Sequence, residues 1–218
     1  MGDSAFPVGG FAYSYGLESA TKHGFFNDHY ALRQYLITYS EQLISFDFAF
    51  ISSAYNLDLT TSNPTILKEI TEGYESMLLN PQVMKANLVI GKNWMKICKQ
   101  LNQSILLEQL DMVFLEEKIQ YVFPVVFACT MQLVNIQLQK ALNLFFYMAI
   151  RDQISALIRL GIAGPARAHA ELHFLLKNFS NRIETYIPIP FHEAYKSAYL
   201  MEISQLKHEK VYSKLFQN

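Results

Sequence analysis

The residues in this sequence best suited to chemistry are the charged side chains Arg151, Asp152 and Arg159, which follow an almost wholly apolar stretch. Two four-residue steps through Ser155 join Arg151 to Arg159, so a helix places these residues on one face. Asp152 lies two turns before Arg159. The pattern fits an internal ion-pair or hydrogen-bond network that fixes helix register, or a polar patch at a protein interface. Catalysis fits least well, because no second acid or nucleophile belongs to the pattern.

Histidines and cysteines are the next candidates, as metal ligands. His169 and His173 are four residues apart and could share one helix face. The order HAELH does not provide the carboxylate of an HExxH motif. Cys98 and Cys129 form no CxxC pair, which favours two buried, reduced thiols. The sequence therefore predicts no metal site and no cofactor.

Composition restricts the kind of partner. Hydrophobic residues make up 51% of the 218 residues and charged residues 17%, and the formal net charge is −1. Such a chain has a large core or keeps apolar surface for partners, and it lacks the basic footprint of a nucleic-acid-binding protein. The first ten residues contain no basic segment followed by an apolar one, so we expect no signal peptide and a cytoplasmic location.

The helices that must position these residues are organised around a central apolar helix at 141–160. Its first ten residues, ALNLFFYMAI, are apolar except for Asn143, which predicts burial within a bundle. Arg151, Asp152 and Arg159 leave the run too short to span a membrane. Gly161 and Pro165 are typical of a corner between two helices. We predict an all-α, single-domain bundle of about eight to ten helices covering residues 1–218.

Other helices follow from periodicity and capping signals. Residues 28–57 form one long predicted helix, in which apolar positions step by four and three: Leu32, Leu36, Tyr39, Leu43, Phe46 and Phe50. Asn63-Pro64 and Asn80-Pro81 are twin helix starts. Further helices are predicted from Phe11 toward Lys22, from Pro124, after Pro165 and from near Phe191.

The two ends of the chain are unusual. The loop at 3–18 surrounds Gly9 and Gly10 with aromatic residues, and no Gly-Lys-Ser/Thr follows to make a phosphate-binding loop. The tail at 205–218 ends with Tyr212, Leu215 and Phe216, although chain termini are usually polar. The tail therefore docks on its own domain or becomes ordered on a partner.

Three segments together resemble the urease accessory protein UreF family. DSAFPVGGFAYSYGLE resembles the family's opening pattern D-S-x-x-P-x-G-G-F-x-x-S-x-G-L-E. RDQISALIRLGIAG resembles its central arginine- and glycine-containing segment. MEISQLKHEKVYSKLFQN resembles its ending, with Lys214 where the family has arginine. FPVVF at Pro124 matches a fourth, weaker signature.

The resemblance implies an all-helical homodimer without enzymatic activity, which acts as a chaperone in protein maturation. Its expected partners are a UreD/UreH-type accessory protein, the GTPase UreG and apo-urease, and its expected role is to regulate that GTPase during nickel insertion. Neither nucleic acid nor a membrane is expected as a partner. The motif positions are the candidate partner-binding residues: Pro7, Gly9, Gly10, Phe11, Ser14, Gly16, Glu18, Arg151, Asp152, Arg159, His208, Glu209, Tyr212, Lys214, Leu215 and Phe216.

Two other classes of protein remain open at the level of sequence. A helical ligand-binding or regulatory domain, unrelated to nickel, would enclose a large pocket lined by Tyr and Phe. A helical enzyme would use Arg151, Asp152 and Arg159, but the clustered carboxylates of a DDxxD run are absent from the sequence. A scaffold would instead expose apolar patches at both termini.

Overall fold

The computed structural model describes Gly10 and residues 13–26, 28–59, 64–212 and 214–216. Within these residues the chain forms ten α-helices and no strand, which confirms the predicted all-α class. The helices are α1 Leu17–Lys22, α2 His29–Gln42, α3 Phe48–Tyr55, α4 Pro64–Ser76, α5 Pro81–Asn102, α6 Ile105–Glu116, α7 Phe123–Leu133, α8 Leu138–Arg159, α9 Pro165–Glu184 and α10 Tyr199–Lys207. None of them is long and apolar enough to cross a membrane.

The long helix predicted at 28–57 is confirmed as α2 and α3, joined without a break by a π-helical turn at Leu43–Asp47. Asp28 caps the start of α2, where its side chain accepts a hydrogen bond from the Ala31 N–H at 2.8 Å. All six residues of the predicted apolar seam are buried. A π-helical turn adds one residue to a helix and is frequently found near functional sites. Here it directs the acidic residue Asp47 into the interior.

Helix α8 is the central element, as predicted, because it packs against α1, α2, α3, α7 and α9. The most completely buried helix is α7, in which Pro124 is buried and every residue from Val125 to Met131 is inaccessible to solvent. Its Thr130 hydroxyl accepts a hydrogen bond from the indole N–H of Trp94 on α5 at 2.7 Å.

The helix starts predicted at Pro64 and Pro81 are also confirmed. Helix α4 begins at Pro64, and the Asn80 side chain caps α5 by accepting the Gln82 N–H at 2.8 Å.

The last long helix begins later than predicted. We expected a start near Phe191, but Phe191–Glu193 is a single 3₁₀ turn and α10 begins at Tyr199. Three N–H groups of this segment bond to α3, the π-helical turn and α2 instead of continuing a helix. The Phe191 N–H donates to the Ser53 hydroxyl at 3.0 Å, and the Ala198 N–H donates to Gln42 at 2.9 Å. These tertiary bonds outweigh local helix propensity.

The first helix is also shorter than expected, since α1 begins at Leu17 rather than near Phe11. Gly16 precedes it with φ of 95°, a left-handed conformation that ends any regular helix on that side. The predicted stop at Gly24 is confirmed by its φ of 70°. Residues 11 and 12 lie outside the described part of the chain.

Candidate partner-binding site

The amino-terminal motif lies against the last helix. Helix α1 packs on α10 and α8. A Cβ atom at Gly16 would come within 3.2 Å of the Met201 carbonyl oxygen, so glycine permits this close approach. The Gln205 side chain donates to the Tyr15 carbonyl at 3.2 Å, and Gln153 on α8 donates to the Ser14 carbonyl at 3.2 Å. The motif is therefore fastened by main-chain contacts to both neighbouring helices.

Glu18 connects the motif to the tail. Its side chain is only 1% exposed. One carboxylate oxygen accepts the Leu215 N–H at 2.6 Å, and the other accepts the Phe216 N–H at 3.1 Å. Hydrogen bonds to an ionised acceptor are about twice as strong as neutral ones. Glu18, a buried acid of the amino-terminal motif, thus binds the main chain of the tail.

Arg159, at the end of α8, joins the same cluster. Its guanidinium carbon lies 4.2 Å from the centroid of the Phe216 ring. Such a cation–π contact is worth about 0.5–1 kcal/mol at an exposed site. All three segments that carry the family resemblance, 3–18, 151–164 and 201–218, therefore supply a residue to one cluster: Glu18, Arg159 and Phe216.

His208 is the buried base of this cluster, at 2% exposure. Its Nε2 atom is 3.9 Å from the Glu18 carboxylate, which is too far for a hydrogen bond. Neither ring nitrogen has a hydrogen-bond partner among the described residues. Burial holds the pKa of His208 below its usual value, and Lys214 lowers this pKa further while Glu18 opposes the shift.

Arg151 and Asp152 form the ion pair that their proximity suggested, but Arg159 is not part of it. The Arg151 guanidinium donates to Asp152 at 2.7 Å. Burial raises the pKa of Asp152, and Arg151 counteracts this effect. Asp152 lines a cavity that is partly open to solvent, whereas Arg159 is directed to the tail. The three charged side chains therefore lie in two separate sites, the cavity and the tail contact.

The cavity is partly open to solvent, and its lining includes Tyr and Phe side chains such as Tyr15, Tyr39 and Phe46. Its volume of about 90 Å³ has room for several water molecules but not for the drug-sized ligand of a ligand-binding domain. Its wall carries an unexpected set of polar groups. The Tyr74 hydroxyl donates to Asp47 at 2.8 Å, and Lys196 pairs with Glu202 at 2.8 Å. Burial raises the pKa of Asp47 to about 7, against the opposing effects of Tyr74 and Lys196.

Sequence reasoning missed this cavity, although one signal was present. Asp47 interrupts the apolar run LISFDFAFI, where a buried acid demands a partner. Nothing local connects it with Tyr74, Lys196 or Glu202, which come from distant parts of the chain.

The remaining predicted residues divide into inner and outer positions. Ser14 is buried beside Glu18, and its hydroxyl accepts the Glu18 N–H at 3.3 Å. Glu209, Tyr212, Lys214 and Leu215 are exposed. Pro7, Gly9 and Phe11 lie outside the described residues.

Among the described residues, no third ligand joins the two candidate histidines of α9. His169 and His173 are exposed on α9. Glu171 between them turns inward and binds Arg33 at 2.7 Å. Over the described ranges, no group of three His, Cys, Asp or Glu side chains could hold a metal ion.

The surface carries two sets of exposed apolar side chains. We call the first the tail face; it comprises Tyr199, Leu200, Ile203, Leu206, Tyr212 and Leu215. We call the second the α6 face; it comprises Leu101, Ile105, Leu106, Met112 and Leu115. Exposed apolar patches are typical of protein interfaces. The tail face lies on the helix that packs against the amino-terminal motif and on the segment that follows it.

A first prediction concerns Gly10. A Cβ atom at this position would lie 2.5 Å from the Asp152 carboxylate oxygen, which Arg151 holds in place through the other oxygen. Gly10→Val is therefore expected to cost about 1–3 kcal/mol of stability, as overpacking does. The control is Gly164→Ser, because a Cβ there meets nothing within 4 Å and serine is a favourable cap at this start of α9. Thermal melts that fall equally for both variants, or for neither, would contradict the close approach.

Comparison with known proteins supports what these motifs indicate. The UreF family model matches residues 26–176, more than half of the chain. Urease accessory protein F of Oryza sativa subsp. indica is 26% identical over 216 residues, covering 98% of this chain and 81% of its own length. Urease accessory protein UreF of Actinobacillus pleuropneumoniae serotype 5b (strain L20) is 22% identical over 215 residues, covering 98% and 94%. A Schizosaccharomyces pombe protein described as an uncharacterized urease accessory protein UreF-like is 24% identical, covering 99% and 94%. This chain belongs to the UreF family.

Proposed function

We propose that this protein is a urease maturation factor that works as a non-enzymatic scaffold. It joins a UreD/UreH-type accessory protein and the GTPase UreG for nickel insertion into apo-urease, and it regulates that GTPase. Family membership supports the role in urease maturation. The observation that carries the scaffold role is the cluster in which Glu18 and Arg159 hold the tail while leaving Leu215 exposed.

The tail face is the proposed docking surface for the UreD/UreH-type protein. Phe216 is 4% exposed and Leu215 is 51% exposed, so one side chain anchors the tail and its neighbour remains available. Burying an exposed leucine in a partner's groove contributes up to about 1.5–3 kcal/mol. Exposed apolar side chains on α10 extend the same kind of surface.

The experiment is capture of partners from cells that co-express this chain with a UreD/UreH-type protein, UreG and apo-urease. The proposal expects the tagged chain to retain the UreD/UreH-type protein and, through the resulting complex, UreG. At a low concentration of UreG, omitting the UreD/UreH-type protein should abolish capture of the GTPase. A tagged chain that retains none of these proteins would refute the scaffold role.

The protein is also proposed to be a cytoplasmic, symmetric homodimer. Isologous dimers bury one patch of each subunit against the same patch of the other. The tail face and the α6 face both offer exposed apolar side chains for such a contact. Light scattering at tens of micromolar is expected to give twice the mass of one chain. A monomer throughout this range would contradict the dimer.

A further inference from the structure

The contact between Glu18 and the tail is made to the main chain rather than to side chains. The two carboxylate oxygens accept N–H groups from consecutive residues, Leu215 at 2.6 Å and Phe216 at 3.1 Å. These atoms are separated from Glu18 by nearly the whole length of the chain. The side chains at these two positions therefore do not determine the hydrogen bonds. The register of the tail determines them, because it decides which N–H groups face Glu18.

The register decides which side chain points outward. With the Leu215 and Phe216 N–H groups held, Phe216 packs beneath Arg159 and is 4% exposed, while Leu215 remains 51% exposed. A slip by one residue would offer the carboxylate a different pair of N–H groups and remove Phe216 from the guanidinium. Glu18 itself cannot follow such a slip, because it is 1% exposed and belongs to α1, which packs against α8 and α10.

Among the described residues, Glu18 has no ion partner within hydrogen-bond distance. His208 is 3.9 Å away, and its ring nitrogens make no hydrogen bond with described residues. Burying a carboxylate is costly unless its oxygens accept hydrogen bonds. The tail N–H groups meet this need, and the carboxylate in turn gives the tail a fixed attachment.

We propose that Glu18 is a positioning residue that sets the register of the tail and so presents Leu215 and Tyr212 to the accessory partner. The inference rests on the proposed function, because it assumes that the exposed side of the tail binds the UreD/UreH-type protein. Glu18, in the amino-terminal motif, would thus shape the surface that the tail at 205–218 offers to the partner.

The first test compares Glu18→Gln with Glu18→Asp. Glutamine keeps the size of the side chain but replaces one acceptor oxygen with an NH₂ group that faces a donor. Aspartate is shorter but keeps both acceptors. If Glu18 acts through its acceptors, hydrogen exchange at the Leu215 and Phe216 amides should be on the order of tenfold faster in Glu18→Gln, with partial rescue in Glu18→Asp. If it acts only by filling space, glutamine is the better substitute, and this reversed order would overturn the proposal.

A second pair keeps the test independent of how Glu18 variants fold. Leu215→Ala and Leu215→Pro both remove the leucine side chain, but only proline removes the N–H that Glu18 holds. The Phe216 amide should stay protected in Leu215→Ala and exchange faster in Leu215→Pro. The partner should bind Leu215→Pro on the order of tenfold more weakly than Leu215→Ala, which is the loss expected for one charge-assisted hydrogen bond. Equal protection in both variants would overturn the proposal.

The outcomes separate this inference from the function beneath it. If Leu215→Ala weakens partner capture but freeing the tail through Glu18→Gln or Leu215→Pro has no further effect, the positioning role is wrong and the scaffold role stands. If Leu215→Ala and Tyr212→Ala both leave capture unchanged, the docking surface itself is wrong, whatever the exchange rates show.

Discussion

Deleting residues 211–218 is expected to lower the free energy of unfolding by about 3–6 kcal/mol, because Val211 and Phe216 are buried and each large apolar side chain contributes about 1.5–3 kcal/mol. Glu18 would also lose the two N–H donors bound to its carboxylate, which adds to the loss even where water replaces them. Denaturant titration of the truncated and full-length proteins measures the difference. The tail is thus expected to contribute to the core as well as to recognition.

The control for the truncation is Tyr212→Ala combined with Leu215→Ala, which removes only the exposed tail side chains. This variant should unfold at nearly the same denaturant concentration as the parent. Equal stability of the truncated and full-length chains would show that the tail does not pack on this domain in solution.

Asp47→Asn is expected to stabilise the protein above pH 7 by about 2–4 kcal/mol, since one unit of pKa shift corresponds to about 1.4 kcal/mol. Burial raises the pKa of Asp47 from 3.8 to about 7. Between these two values the folded protein retains a proton that the unfolded chain has lost, so stability falls as pH rises. Asparagine removes the cost of the buried charge and can still accept the Tyr74 hydroxyl.

The gain should therefore be largest at pH 8 and shrink as the pH approaches 4. Asp28→Asn is the matched control, because this exposed residue caps α2 and asparagine caps equally well. It should change stability little at either pH. A gain in Asp47→Asn that is the same at pH 5 and pH 8 would show that Asp47 is ionised throughout.

Much of the fold could be predicted because its signals are local. The apolar seam from Leu32 to Phe50 and the Asn80-Pro81 start depend on spacing within a few residues, and both hold in the structure. The start of α10 could not be predicted in this way. Hydrogen bonds from the Phe191 and Ala198 N–H groups to distant side chains determine where that helix begins.

The site was predictable only in part. The motifs marked Glu18, Arg159 and Phe216 separately, but no periodicity indicates that residues 197 and 198 positions apart share hydrogen bonds. The sequence also left open whether the tail packs on its own domain. In the structure Phe216 packs on the domain, whereas Leu215 remains exposed.

The central claim is that the tail face captures the UreD/UreH-type protein, and matched double variants test it most directly. Tyr212→Ser with Leu215→Ser alters the tail face; Ile105→Ser with Leu115→Ser makes the same kind of change on the α6 face, where Leu115 is 63% exposed. The measurement is the dissociation constant of each variant for the purified partner. We expect the tail variant to bind at least about tenfold more weakly and the α6 variant to bind like the parent. Parental affinity in the tail variant would contradict the account.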